Sequence, residues 1–261
     1  LKFFPFSLFK LDRLTHTKKF LFIYVLRMFD FLSTKNFRDL HDHYLYWVKI
    51  FFLTLVLFGL ILSLFISPAD YLQGDTARIM YVHVPASWLA LQVYAVMSVC
   101  GIVTLIFKAR IFTLIAKSVA PIGFTFSLIS LFTGSIWGQP TWGTFWTWDA
   151  RLTSMLVLVL FYIAYILTWK IISQFQLAEK LTSIIALIGL ANLPIIKFSV
   201  DWFNTLHQPA TIKLTESSTI HPSMLTPLLV MFFAFVAFSI IVFLIRFKLE
   251  SLNLKINLNN K

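Results

Sequence analysis

Residues 224–245, MLTPLLVMFFAFVAFSIIVFLI, decide the fold, because this stretch contains no charged residue. An α-helix needs about 20 apolar residues to cross about 30 Å of hydrocarbon, so the stretch is typical of a transmembrane span. Of the 261 residues in the chain, 59% are hydrophobic and only 13% are charged, which argues against a soluble domain. The bilayer is therefore the expected solvent of this protein.

Five further apolar stretches precede this one and have a similar length. The six predicted spans cover residues 47–66, 88–107, 117–136, 152–170, 181–200 and 224–245. The fifth contains Asn192, Pro194 and Lys197, so we expect it to kink or to end early near Asn192. The pattern predicts an all-α integral membrane protein, a bundle of six transmembrane helices with a Trp-rich outer loop.

Lysine and arginine are unevenly distributed over the two sides of the predicted bundle. Eighteen of the 22 fall on the side of the two termini, and the exceptions are Arg78, Arg151, Lys197 and Lys213. The positive-inside rule therefore places both termini in the cytoplasm or the mitochondrial matrix. The net charge of +11 is then a signal of orientation rather than of nucleic acid binding. The outer loops are residues 67–87, 137–151 and 201–223.

The predicted spans divide the chain into three regions. Residues 1–46 form a basic N-terminal lead-in, interpreted as disordered or interfacial; residues 47–245 form the six-span membrane domain; and residues 246–261 form a basic inner-side tail. The single cysteine, Cys100, excludes an intramolecular disulfide and a CxxC or CxxCH site within this chain.

Tryptophan is concentrated on the outer side. The stretch WGQPTWGTFWTWD, residues 137–149, holds four of the eight tryptophans, with Trp142 and Trp146 expected to share a helical face. An aromatic belt anchors helices at both membrane surfaces and should be roughly symmetric, which this distribution is not. The alternative is a flat aromatic platform for a large conjugated ligand such as a porphyrin. Six tryptophans are outside or at the outer boundary: Trp88, Trp137, Trp142, Trp146, Trp148 and Trp202.

Three outer histidines, His83, His207 and His221, complete the pattern. Neutral imidazole is a standard axial ligand of heme iron, and two imidazoles from different loops can clamp the metal on both faces. We expect His83 just before the second helix, whose positive end disfavours imidazolium. From the residues alone, His207 and His221 rank almost equally as its partner. The outer cations Arg78, Arg151 and Lys213 are candidates to pair with the propionates of heme.

The Trp-rich segment, together with the following Ala150-Arg151-Leu-Thr-Ser154, resembles the "WWD" signature of heme-handling proteins of cytochrome c maturation. Two further segments, RIMYVHVPA at 78–86 and NLPIIKFSVDWFNTLHQ at 192–208, resemble one branch, the heme exporter protein C family. In that family the two axial histidines fall on His83 and His207. Two departures are Phe145, where many members have tryptophan, and Lys197, where some have histidine.

The resemblance implies a multi-pass protein of the mitochondrial inner membrane or the bacterial cytoplasmic membrane that carries no enzymatic turnover. It would bind heme b non-covalently, in transit, and support its transfer to a membrane-tethered heme chaperone. The implied partners are the subunits of an ABC transporter and a small single-span subunit. The implied heme-binding residues are His83 and His207 as axial ligands, with Trp137, Trp142, Trp146, Trp148, Asp149, Arg78 and Arg151 around them.

Three other classes remain to be weighed. A cytochrome b-like or quinone-reactive subunit places its ligand histidines within spans, whereas no histidine falls inside a predicted span here. A solute transporter needs polar residues on several helices near the midplane, and the spans offer little beyond Asn192 and Lys197. A larger synthetase-type relative, which joins heme to apocytochrome, would need additional spans.

Overall fold

The computed structural model describes residues 34–207 and 220–259 of the chain, and the side chains of residues 44–207 and 220–256. Within these ranges the regular structure is helical, and the sole β-bridge joins Asp70 to Gly74. A π-helical turn, Leu62–Ile66, ends the first helix, and a 3-10 helix, Asp75–Ile79, leads into the second. The α-helices are α1 Thr34–Ile61, α2 Met80–Phe107, α3 Arg110–Trp142, α4 Ala150–Ile171, α5 Phe175–Leu190, α6 Asn192–Trp202 and α7 Pro222–Asn259.

In the part of the chain that the structure describes, six helical stretches are long and apolar enough to cross a membrane, and each contains one predicted span. The prediction of an all-α, six-span membrane protein is confirmed. The stretches run longer than the sequence indicated, because polar and aromatic residues at the membrane surfaces extend the helices beyond the hydrocarbon. They are Tyr44–Ile66, Asp75–Phe107, Arg110–Trp142, Ala150–Ile171, Phe175–Trp202 and Pro222–Ile256.

The centre of the bundle is held by two buried tyrosines that cross between helices. Tyr94 of α2 donates a hydrogen bond to the carbonyl of Ile185 on α5 at 3.1 Å, and Tyr162 of α4 donates to Ala90 on α2 at 2.7 Å. Gly189 and Gly123 provide the space for these rings, because a Cβ at either position would overlap the adjacent tyrosine. The hydroxyls of both tyrosines are therefore paired within the bundle, as lipid surroundings require.

The fifth span is broken, as expected near Asn192. Helix α5 ends at Leu190 and α6 begins at Asn192, with Ala191 between them. Pro194 has no N–H to bond the carbonyl of Leu190, which weakens the ladder at this point. The amide of Asn192 donates instead to the carbonyl of Ser154 on α4 at 2.8 Å and fastens the break to the bundle.

Two predicted boundaries differ from the structure. Helix α3 continues past Pro140 to Trp142, so the outer loop expected over residues 137–151 is shorter, because one proline near a helix end removes only one hydrogen bond. Residues 34–46 of the expected lead-in are already helical in α1, and residues 1–33 lie outside the described residues. The tail after residue 246 continues as helix α7 to Asn259.

A candidate paired-histidine site at the Trp-rich end

His83 is the fourth residue of α2, rather than part of a loop before it. The expectation that the helix begins near Pro85 is wrong, because the 3-10 helix Asp75–Ile79 runs directly into α2 and starts the helical backbone earlier. The prediction that no histidine falls inside a span is therefore wrong for His83, which lies in the span-length stretch Asp75–Phe107. It nevertheless lies in the first turn of α2, at the end of the helix where the Trp-rich segment is found.

One nitrogen of His83 is fixed by a hydrogen bond to the neighbouring helix. Its Nδ1 lies 3.1 Å from the hydroxyl oxygen of Thr133 on α3. That hydroxyl donates its proton to the carbonyl of Ile129 at 2.6 Å, so toward His83 it accepts. This hydrogen bond favours the tautomer with the proton on Nδ1, in which Nε2 keeps its lone pair for a ligand.

The ring of His83 has walls on two sides. On one side the ring lies against Gly134, since a Cβ at that position would come within 2.8 Å of the imidazole Cε1. Trp137 packs edge-on with ring centroids 5.7 Å apart and planes at 78°. The indole N–H of Trp137 donates to the side-chain oxygen of Gln73 at 2.9 Å, and the backbone N–H of Gln73 donates to Asp70 at 2.8 Å. A chain of contacts thus runs from the Asp70 turn to the histidine.

His207 is held in a similar way from the other side. Its Nδ1 lies 2.9 Å from a carboxylate oxygen of Asp149, and the Trp142 ring packs against it at 4.7 Å. A carboxylate only accepts, so Nδ1 donates and Nε2 keeps its lone pair. Burial lowers the pKa of His207, and the hydrogen bond to Asp149 opposes that shift only in part. The imidazole is thereby favoured in the neutral form that binds a metal.

The two histidines approach each other in the fold. His83 and His207 are close enough to interact electrostatically, although 124 positions separate them in the chain. Asp149 connects His207 to α4 as its N-cap residue, because its second oxygen accepts from the backbone N–H of Leu152 at 2.8 Å. Arg151 donates to the buried hydroxyl of Ser199 at 3.0 Å, which attaches α6 to the same site.

The Trp-rich segment is not one helical face. Helix α3 ends at Trp142 with Gly143 at φ 77°, in the left-handed region, and the chain then turns. The expectation that Trp142 and Trp146 share a helical face is wrong. Trp146 instead packs edge-on against Trp148 at 5.4 Å, with Trp148 77% exposed. The buried indole N–H of Trp146 has no hydrogen-bond partner among the described residues.

The remaining candidates lie around this core. Arg78 is bound to Asp75 at 2.9 Å and to the carbonyl of Ser63 at 2.7 Å, which leaves part of its guanidinium for other partners. His221 is exposed and bonds to Ser223 at the start of α7, at 2.7 Å, rather than to the residues of the paired-histidine site. Lys213 lies outside the described residues.

Sequence reasoning missed four residues that shape the site: Gln73, Thr133, Gly134 and Ser199. A signal for two of them was present, because Thr133 and Gly134 precede Trp137 by four and three residues and share its side of α3. Gln73 and Ser199 gave no such signal, since their partners are distant in the chain.

Fold and geometry together define a six-span membrane protein with two histidines held at its Trp-rich end. Residues 27–260 match the family model of heme exporter protein C. The chain belongs to the heme exporter protein C family.

Curated relatives come from bacteria and from plant mitochondria. The chain is 42% identical over 210 residues to heme exporter protein C of Bradyrhizobium diazoefficiens, covering 80% of each chain. It is 42% identical over 202 residues to heme exporter protein C of Escherichia coli K12, covering 77% of this chain and 81% of the relative. A putative cytochrome c biosynthesis ccmC-like mitochondrial protein of Marchantia polymorpha is 46% identical over 175 residues, covering 67% and 73%.

Proposed function

We propose that this protein holds heme as cargo at the Trp-rich end of its bundle and passes it on during cytochrome c maturation. The names of its relatives, heme exporter protein C and cytochrome c biosynthesis ccmC-like protein, support this role. The observation that carries the proposal is the matched anchoring of His83 and His207, each through Nδ1, which favours a lone pair on Nε2 of both rings.

The donor set fits a hexacoordinate heme. Each imidazole presents Nε2, and the partner on Nδ1 fixes the tautomer and the ring orientation, as in other protein metal sites. Thr133 performs this task for His83, and Asp149 performs it for His207. Because Asp149 is ionic and Thr133 is neutral, we expect His207 to be the more basic of the two ligands.

Aromatic and cationic side chains supply the rest of the site. Trp137 and Trp142 pack against the two histidines and would border the porphyrin, while Trp146 and the exposed Trp148 extend the aromatic surface. Arg151 uses one N–H on Ser199 and has others to offer a propionate. Arg78, held by Asp75 and Ser63, is the second candidate for this role, together with the Trp146 indole.

The proposed cargo is heme b, bound without a covalent link, since the free Cys100 is buried on α2 and lies about five turns of helix from His83. The excess of positive charge on the opposite side favours an outer location for the site. The proposed partners are a membrane-tethered heme chaperone, the subunits of an ABC transporter and a small single-span subunit. The protein would act as a transfer factor in the mitochondrial inner or bacterial cytoplasmic membrane.

Absorbance spectroscopy of the purified protein tests the proposal. Loaded with heme, the protein should give a low-spin, bis-imidazole spectrum, and His83→Ala and His207→Ala should each lower heme content and change the spectrum. His221→Ala is the matched control and should leave both unchanged. If neither His83→Ala nor His207→Ala altered the spectrum or the reduction potential, the axial assignment would be wrong.

A further inference from the structure

A groove on the lipid-facing side of the bundle lies beside the break in the fifth span. It has a volume of about 450 Å³ and runs between α2 and the α5–α6 junction. Two polar residues, Gln92 and Lys197, line it together with six apolar ones: Leu91, Ala95, Leu190, Leu193, Pro194 and Phe198.

Gln92 and Lys197 are unusual residues for a lipid-facing surface. Both side chains are exposed, and neither forms a hydrogen bond or an ion pair with the described part of the chain. Polar and charged side chains are costly on a lipid-facing surface and mark functional positions by default. A ligand that satisfies both groups would explain why they share one groove.

Their depth in the membrane is similar. Gln92 lies four residues from Trp88, or about 6 Å along α2, and Lys197 lies five residues from Trp202, or about 7.5 Å along α6. Tryptophan marks the membrane surface, so both groups lie just inside it, where the phosphate and glycerol of a lipid meet its acyl chains.

The groove is separate from the histidine site. Gln92 follows His83 by nine residues, which is two and a half turns, so the two side chains project from opposite sides of α2. Helix α6 nevertheless connects the two regions, because Lys197 lies in the groove while Ser199 holds Arg151.

We propose that this groove binds one anionic phospholipid. The phosphate pairs with the ammonium of Lys197, the glycerol ester region accepts from the amide of Gln92, and an acyl chain lies along Leu91, Ala95, Leu190 and Leu193. Charge complementarity selects an anionic lipid, because no acidic residue lines the groove and a zwitterionic head carries its own cation. The lipid bridges α2 to the broken span and so fastens α6 beneath the site.

Native mass spectrometry and thermal unfolding of the detergent-purified protein test this site. Wild-type protein should retain one dioleoylphosphatidylglycerol in preference to dioleoylphosphatidylcholine, and its Tm should rise more with the former. Lys197→Met should abolish the preference, and Lys197→Arg should keep it. Lys180→Met, an exposed lysine at the other end of α5, is the matched control and should behave as wild type.

Gln92→Leu provides a second, independent variant. If the groove binds a lipid, Gln92→Leu should reduce the lipid-induced rise in Tm. If the groove binds none, the substitution should instead stabilise the protein, because it removes an unpaired amide from hydrocarbon. The proposal is overturned if the wild-type protein shows no lipid preference or if Lys197→Met retains the preference. It is also overturned if added hemin displaces the lipid from the wild-type protein and Lys197→Met no longer binds hemin, because the groove would then hold heme.

Discussion

Asp149 accepts a hydrogen bond from Nδ1 of His207 at 2.9 Å while its other oxygen caps α4 through Leu152 at 2.8 Å. The same carboxylate thus orients a candidate heme ligand and caps the start of a membrane helix. With a side chain only 8% exposed, it is held by both contacts. The fold and the candidate site are therefore coupled at one residue, and substitutions there can separate the two roles.

Asp149→Asn should weaken heme retention by about 10- to 100-fold, the range observed when a metal ligand loses its outer partner. The amide oxygen can still cap α4, but it can serve only one of the two donors, so His207 loses its fixed tautomer. Asp149→Ala removes the cap as well and should cost about 1 kcal/mol more in stability. Heme titration and thermal unfolding of both variants separate these effects, and equal heme affinity in wild type and Asp149→Asn would contradict the assigned role.

The pKa of His207 makes its contribution to stability dependent on pH. Burial lowers this pKa in the folded protein, while the unfolded chain has a value of about 6.5. Between the two values the unfolded state binds more protons, so the free energy of unfolding falls as the pH is lowered through this window. His207→Gln should remove this dependence. Unfolding of both proteins from pH 4 to 8 measures this dependence. The lowered pKa is refuted if the wild-type protein gains stability relative to His207→Gln as the pH falls below 6.5.

Gly134→Ala should displace the His83 ring without unfolding the protein. The new Cβ would come within 2.8 Å of the imidazole Cε1, so the ring must turn away from its bond to Thr133. We expect roughly tenfold weaker heme retention and loss of the low-spin spectrum. Ser135→Ala, the adjacent position, is the control. Size-exclusion chromatography establishes folding, and a wild-type spectrum in Gly134→Ala would show that the close approach is without consequence.

Hydropathy was sufficient to predict the six spans but not the residues at which their helices begin and end. Residues 224–245 contain no charge and were predicted as a span, whereas parts of the outer loops expected over residues 67–87 and 137–151 are helical in the structure, including Pro85 and Pro140. In both cases the neighbouring segment continues the helix: the 3-10 turn Asp75–Ile79 before α2, and α3 itself up to Gly143. A proline removes one hydrogen bond, and packing compensates for that loss.

The candidate site, like the fold, could be predicted from the sequence only in part. The residue types of His83, His207 and the tryptophans point to a porphyrin, and this assignment stays a prediction, although the two histidines come close enough to interact electrostatically. The partners that fix their tautomers do not follow from sequence, because Thr133 is 50 positions from His83 and Asp149 is 58 from His207. Such contacts arise from helix packing, which a single sequence does not specify.

Gly123→Ala tests the packing that holds the bundle together. The Tyr162 ring lies directly over Gly123, so an added Cβ would overlap it and break the hydrogen bond from Tyr162 to Ala90. Overpacking of this kind costs about 1–3 kcal/mol, and the unpaired hydroxyl adds to the loss. Thermal unfolding in detergent should show a lower Tm for Gly123→Ala and no change for Thr125→Ala, an exposed position two residues away. Tyr162→Leu combined with Gly123→Ala should recover part of the loss, because the smaller side chain leaves room for the methyl group. A Tm of wild-type value in Gly123→Ala would mean that α3 and α4 are further apart than the structure shows.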